Sequence, residues 1–79
     1  MKIEEKVIKV ICESLEVGPD AINEDTAIGD IPEWSSLGHI ILISSLEQEF
    51  GITFDPEQIM DLEDVSDIIA AIEERVNNQ

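Results

Sequence analysis

The chain has 79 residues and a net charge of −15, from 19 acidic residues against four basic ones. A domain of this length buries only about 60–65% of the surface that its unfolded chain exposes, which leaves little room for a deep active site. The charge repels nucleic acids and anionic membranes and attracts basic protein surfaces. We therefore expect a single domain over residues 1–79 that binds neither nucleic acid nor membrane.

The basic residues are confined to the two ends of the sequence, at Lys2, Lys6, Lys9 and Arg75. The hydrophobic fraction of 43% lies in periodic runs and argues against disorder. The sequence contains no pattern typical of a signal peptide and no apolar segment long enough to span a membrane. We therefore expect a cytoplasmic protein.

The first predicted element is an amphipathic helix over residues 3–16. Its apolar residues recur at three- and four-residue spacing, at Ile3, Val7, Val10, Ile11 and Leu15. Gly18 and Pro19 are the expected breakers after it. A long connection over residues 17–35 follows, with apolar anchors at Ile22, Ile28, Ile31 and Trp34. Loops of this length in compact domains are often functional.

Three further helices are predicted after this connection. The second helix spans about Ser36–Phe50 and is closed by Gly51. Asp55 is expected to cap a short helix that begins at Pro56. Asp64 is expected to cap the last helix, whose apolar stripe consists of Val65, Ile68, Ile69, Ile72 and Val76. The sequence therefore predicts an all-α fold, a small four-helix bundle of three main helices and one short helix with a long first loop.

The second helix has apolar residues on two opposite sides when its positions are spaced at about 100° per residue. The predicted core face consists of Leu42, Leu46 and Phe50. The opposite side, here called the outer face, consists of Leu37, Ile41, Ser44 and Gln48, with Ile40 at its flank. Either the helix is buried on several sides, or the outer face is a docking surface, because exposed apolar patches usually mark interaction sites.

Two adjacent serines precede this helix, and each has more than one interpretation. Either Ser35 or Ser36 can cap the helix, which contributes about 1 kcal/mol. Ser36 also stands at a helix N-terminus, where free backbone N–H groups and the dipole favour a phosphate. His39 is expected to pack at the inner edge of the helix. Since no orienting acid is evident, a reaction at Ser36 would be carried out by another protein.

Other chemistry has little support in the sequence. One cysteine and one histidine do not make a zinc site. The acidic stretches lack the alternating oxygen ligands and central glycine of a calcium loop. Cys12 is expected to be a buried thiol, because it lies in the apolar run VIKVIC and has no partner for a disulfide.

The segments WSSLGHIILISSLEQEFGITFDPEQI and DVSDIIAAI resemble acyl carrier proteins and the related peptidyl carrier domains, and the resemblance covers nearly the whole chain. The family signature Asp-Ser-Leu reads Ser35-Ser36-Leu37 here, and residues 46–54 form a second typical segment. The resemblance implies that a phosphopantetheinyl transferase attaches 4′-phosphopantetheine from coenzyme A to Ser36. It also implies a carrier of acyl thioesters without a catalytic site of its own.

The sequence departs from the family pattern at Ser35, where the family normally has an Asp that assists the attaching enzyme and its metal. In addition, the first acidic residue after Ser36 is Glu47, whereas the usual fatty-acid carrier has more acids on this helix. These departures indicate a specialised carrier, whose partners dock more by apolar contact. We also expect the protein to be a monomer. Its predicted docking residues are Leu37, Ile40, Ile41, Ser44 and Glu47.

Three functions are compatible with the sequence. The first is a carrier that serves acyl-transferring or acyl-modifying enzymes of fatty-acid, lipid or secondary-metabolite synthesis, through basic or apolar docking surfaces on those enzymes. The second is an aminoacyl, peptidyl or polyketide-type carrier. The third is an unmodified acidic adaptor that only binds partners. This function stays possible because Ser35 replaces the Asp that assists attachment in the family.

Overall fold

The computed structural model describes residues 2–77, which form four α-helices and one short 3₁₀-helix. The α-helices are α1 (Ile3–Leu15), α2 (Ser36–Phe50), α3 (Pro56–Asp61) and α4 (Val65–Asn77), and the 3₁₀-helix spans Pro19–Ala21 in the long connection. This architecture confirms the all-α bundle of three main helices and one short helix.

The residue that ends α1 differs from the predicted breakers, Gly18 and Pro19. The helix stops at Leu15 because Glu16 adopts the left-handed conformation, with φ 57°. The backbone N–H of Val17 then donates to the carbonyl of Cys12 at 3.0 Å, which closes the last turn. Gly18, the expected breaker, has ordinary extended backbone with φ −73°.

The two predicted aspartate caps have different outcomes. At the start of α4, Asp64 Oδ1 accepts a hydrogen bond from the backbone N–H of Asp67 at 2.8 Å, which confirms the cap. Asp55 precedes Pro56 as predicted, but its side chain makes no capping hydrogen bond. The start of α3 therefore depends on proline at the first helical position, where no N–H is needed.

The core lies between α1, α2 and α4. Leu42 and Leu46 of α2 are fully buried, as predicted. Phe50 is only half-buried, and Lys6 Nζ lies 5.0 Å from the centroid of its ring. Ile43, which the core-face prediction left out, is 2% exposed. The other fully buried side chains are Val7, Ile11, Trp34, Val65, Ile68 and Ile72.

The long connection packs back onto the bundle instead of projecting from it. Trp34 is fully buried and Ile22 is 4% exposed, which confirms both as anchors. The connection also pairs with the segment before α4: the N–H of Ile28 donates to the carbonyl of Glu63 at 2.8 Å. Consequently the connection is held at Ile28 against the segment that joins α3 to α4.

Few of the charges in the described part of the chain are paired. Within residues 2–77 one ion pair is closer than 4.0 Å, between Lys6 Nζ and Glu49 Oε1 at 3.5 Å. Arg75 lies 5.6 Å from the centroid of the Phe54 ring and donates from Nη2 to Gln58 Oε1 at 2.8 Å. No helix in this part of the chain is long and apolar enough to cross a membrane.

Candidate functional site

The two serines have separate positions at the start of α2. Ser35 is the N-cap, and its Oγ accepts a hydrogen bond from the backbone N–H of Gly38 at 3.4 Å. Ser36 is the first helical residue and is exposed to solvent. The structure therefore assigns the cap to Ser35 and leaves the hydroxyl of Ser36 outside it.

The surroundings of Ser36 suit a phosphodiester. The first hydrogen bond of the helix runs from the N–H of His39 to the carbonyl of Ser35 at 2.8 Å, so the N–H groups of Ser36 and Leu37 lie beyond the helical pattern. The first turn of α2 contains no acidic residue. No carboxylate of that turn therefore offsets the free N–H groups and the positive end of the helix dipole. An anion prefers such an environment.

Gly38 permits a close approach between the connection and α2. A Cβ at this position would collide with the carbonyl oxygen of Glu33 and lie 3.1 Å from Leu15 Cδ2. Any side chain here would push the connection away from the helix. This role of Gly38 was not predicted from the sequence, although a glycine inside the first turn of a helix is unfavourable enough to signal a packing role.

His39 is buried on the inner side of α2, as predicted, and both its ring nitrogens are engaged. The indole Nε1–H of Trp34 donates to His39 Nδ1 at 3.0 Å, and His39 Nε2 lies 3.1 Å from the carbonyl oxygen of Ile59. These partners were not predicted, since they come from two other parts of the chain. With both nitrogens occupied, His39 cannot take the proton of the Ser36 hydroxyl.

An apolar groove of about 450 Å³ lies beside Ser36. Ile40 of α2 forms one side of it, and Ile59 and Met60 of α3 form the other. The remaining lining residues are Ile28, Ser36, His39, Pro56, Leu62 and Glu63. The sequence pattern did not predict this groove, because its walls come from segments that are far apart in the chain.

The outer face of α2 is open to solvent. Leu37 is 68% exposed, Ile40 63% and Ile41 45%. Ser44 on the same side is also exposed. The alternative that α2 is buried on several sides is therefore wrong, and the four residues form a continuous exposed surface that begins at Ser36.

Glu47 differs from the other predicted docking residues. It is half-buried, and its Oε2 accepts a hydrogen bond from the backbone N–H of Phe54 at 2.8 Å. The carboxylate therefore holds the segment that follows α2, and one of its oxygens is already used. A docking role for Glu47 remains a prediction and would involve the other oxygen.

Cys12 is a buried thiol on α1, 7% exposed, which confirms the sequence prediction. Its Sγ donates to the carbonyl of Gly18 at 3.6 Å. Burial raises the pKa of this thiol, and the nearby charge of Glu13 raises it further. Within residues 2–77, no cluster of three His, Cys, Asp or Glu side chains is placed to hold a metal ion.

Comparison with known proteins agrees with this geometry. A family model described as "Phosphopantetheine attachment site" matches residues 5–72. The chain is 32% identical over 79 residues to an acyl carrier protein of Campylobacter hominis, with 100% of both chains covered. It is 32% identical over 74 residues to one of Rickettsia canadensis, covering 94% of this chain and 86% of the relative. It is 29% identical over 73 residues to one of Petrotoga mobilis, covering 92% and 86%.

The match covers all four helices in part or in full, and it includes the start of α2 with its exposed serine. The sequence resemblance is thereby confirmed. The chain belongs to the acyl carrier protein family, whose members carry a covalently attached 4′-phosphopantetheine group.

Proposed function

We propose that this protein is an acyl carrier whose 4′-phosphopantetheine arm is attached to the hydroxyl of Ser36. When attached, the arm supplies a terminal thiol that can hold an acyl group as a thioester. The observation that carries the proposal is the exposed position of Ser36 at the start of α2, beside a cap that Ser35 provides. The protein itself contributes the attachment point and the surroundings, and the chemistry belongs to partner enzymes.

Three features of the chain would hold the arm in place. The free N–H groups of Ser36 and Leu37 and the dipole of α2 favour the phosphodiester. Gly38 keeps the connection close beneath this turn, since any larger residue would displace it. The groove lined by Ile40, Ile59 and Met60 lies next to the serine and offers an apolar surface to an acyl chain.

The nature of the groove favours an apolar cargo over an aminoacyl one. Its walls are mostly hydrocarbon side chains, with Glu63 as the one charged residue of the lining. Burial of apolar surface stabilises by about 25 cal/mol per Å², whereas an amino group loses hydration and finds Glu63 as the one carboxylate of the lining to pair with. A fatty-acid or similar acyl chain is therefore the proposed cargo, and an aminoacyl or polyketide-type cargo is the alternative within the family.

Partner enzymes would dock on the outer face of α2, at Leu37, Ile40, Ile41 and Ser44. These partners are a phosphopantetheinyl transferase and enzymes that transfer or modify acyl groups. The net charge of −15 speeds encounter with basic surfaces, and the exposed apolar residues supply the close contact. The single-domain organisation, the monomeric state and the cytoplasmic location remain predictions.

A second candidate function is an unmodified adaptor that keeps the fold and only binds partners. The observation that favours it is Ser35, which stands where the family normally has an aspartate that assists attachment. Ser35 keeps the capping oxygen but not the negative charge. Attachment of the arm is therefore the property that separates the two functions.

The test is labelling with a fluorescent coenzyme A derivative and a broad-specificity phosphopantetheinyl transferase. Wild-type protein should take up one label, and Ser36→Ala should take up none. Ser35→Ala is the matched control, since it removes a neighbouring hydroxyl and should keep the label. Circular dichroism on all three confirms that they are folded. A label on Ser36→Ala would overturn the assignment, and an unlabelled wild type would favour the adaptor.

A further inference from the structure

The only histidine and the only tryptophan of the chain are joined by a hydrogen bond in the interior. The indole N–H of Trp34 can only donate, and the carbonyl of Ile59 can only accept. Both contacts are satisfied together when the ring has its proton on Nε2 and its lone pair on Nδ1. In this form the ring connects the long connection, α2 and α3 through two hydrogen bonds of defined direction.

Helix α3 packs against the core through one partly buried apolar side chain, that of Ile59. It has six residues, and none of them is buried. A helix of this length is not stable by itself in water, so its position depends on contacts with other elements. The side-chain hydrogen bonds that it receives from other elements are those from His39 to the Ile59 carbonyl and from Arg75 to Gln58.

The bond from His39 also lies where α3 forms a wall of the groove beside Ser36. Ile59 and Met60 line the groove from α3, and His39 lines it from α2. A movement of α3 away from α2 would widen the groove, and it would first have to break the contact between His39 Nε2 and the Ile59 carbonyl. Since the other ring nitrogen is fixed by buried Trp34, the imidazole cannot simply rotate to follow α3.

We propose that His39 is a latch: it fixes α3 against the serine-bearing end of α2 and thereby controls how far the groove beside Ser36 opens. His39 is a positioning residue that acts through α3, and it takes no part in attaching the arm. The use of the groove for cargo rests on the proposed function, whereas the latch itself is a property of the unmodified chain.

Two substitutions separate the two hydrogen bonds. In His39→Asn, the amide oxygen stands near the place of Nδ1 and can accept from Trp34, but the side chain is too short to reach Ile59. In His39→Gln, the longer amide can donate to the Ile59 carbonyl and offers no acceptor near Nδ1. Glu74→Gln, at an exposed position of α4 that belongs neither to the groove nor to the docking residues, is the control.

The first readout is hydrogen exchange in the unmodified full-length chain, followed by NMR. In His39→Asn the amides of Ile59, Met60 and Leu62 should exchange about 2- to 10-fold faster, the change expected for one hydrogen bond. The single indole N–H should stay protected. His39→Gln should show the reverse: the indole N–H should exchange faster, and the amides of α3 should stay protected from exchange. Unchanged α3 exchange in His39→Asn would refute the latch.

Two further measurements test the proposal, and the first needs no variant, so it holds even if a variant is unstable. In wild-type protein, ¹⁵N shifts of the imidazole should show the proton on Nε2, and a proton on Nδ1 would refute the geometry. Nile red, a neutral apolar dye, should bind His39→Asn more tightly than wild type, and Glu74→Gln as tightly as wild type. Equal binding to all three would mean that the groove does not depend on His39. None of these outcomes depends on whether Ser36 carries an arm.

Discussion

Glutamate substitutions at Ile41 and Ile43 test which side of α2 faces the solvent and which side faces the core. The two positions lie on the same helix, and the substitutions introduce the same charge. Ile41 is 45% exposed, and Ile43 is 2% exposed. If α2 is oriented as described, Ile41→Glu should remain folded and lose partner contact, and Ile43→Glu should lose the fold.

The expected magnitudes follow from these exposures. Full burial of an isoleucine side chain is worth about 1.5–3 kcal/mol, and Ile41 has buried about half of its surface, so Ile41→Glu should cost about 1 kcal/mol. For a domain of this size, that loss lowers the melting temperature by about 4–8 °C. Ile43→Glu loses the whole contribution and also buries a carboxylate, a cost of several kcal/mol against a total stability of about 5–15 kcal/mol.

The docking effect comes from the part of Ile41 that the fold leaves exposed. Covering this part in a complex is worth about 0.7–1.4 kcal/mol, so its loss should weaken transfer from a partner enzyme about 3- to 10-fold. The assays are thermal melts followed by circular dichroism and transfer rates at carrier concentrations below saturation. A collapsed melting temperature for Ile41→Glu would refute the placement of the helix, and unimpaired transfer would refute the docking surface.

Four further predictions concern attachment, packing and charge. Ser35→Asp should stabilise α2 by roughly 0.3–1 kcal/mol and speed attachment of the arm, and rates equal to those of wild type would show that the missing charge is unimportant. Gly38→Ala should cost about 1–3 kcal/mol in urea unfolding, because its Cβ meets the Glu33 carbonyl, while Gly18→Ala, where nothing lies within 4 Å, should be nearly neutral. Added salt should raise the melting temperature, since it screens exposed carboxylates over about 8–10 Å, and a flat response would contradict the scarcity of ion pairs. Because burial raises the pKa of Cys12, the folded state keeps its proton more tightly than the unfolded state, and wild type should lose stability relative to Cys12→Ala as the pH rises above the ordinary value of 9.0.

Most of the fold could be predicted from the sequence, because α1 and α4 have strong helical periodicity and definite ends. The predicted buried anchors of the connection, Ile22 and Trp34, are confirmed as well. The end of α1 was predicted less accurately. Glu16 adopts the left-handed conformation there, which is unusual for a residue other than glycine and has no comparable sequence signal. Phe50 and Ile43 differ from the prediction because both lie about 40–60° from the centre of the core face, where tertiary packing decides burial.

Only those features of the candidate site that lie on a single helix could be predicted from the sequence. Ser36 and the outer face follow from positions on a single helix, and their exposure is confirmed. Pattern could not decide which serine caps the helix, because both are good capping residues. The bridge from Trp34 through His39 to Ile59 joins three segments, and the groove does the same. Such features depend on how elements pack, and a local pattern does not encode them.

The most direct test of the proposed carrier function is to locate the arm in the wild-type chain. The protein is incubated with coenzyme A and a broad-specificity phosphopantetheinyl transferase, and its intact mass is measured before the chain is fragmented by tandem mass spectrometry. The mass should increase by that of one arm, and the fragment ions should place the arm on Ser36. An arm on Ser35 or on any other residue, or a chain that stays unmodified with an active enzyme, would contradict the proposed function.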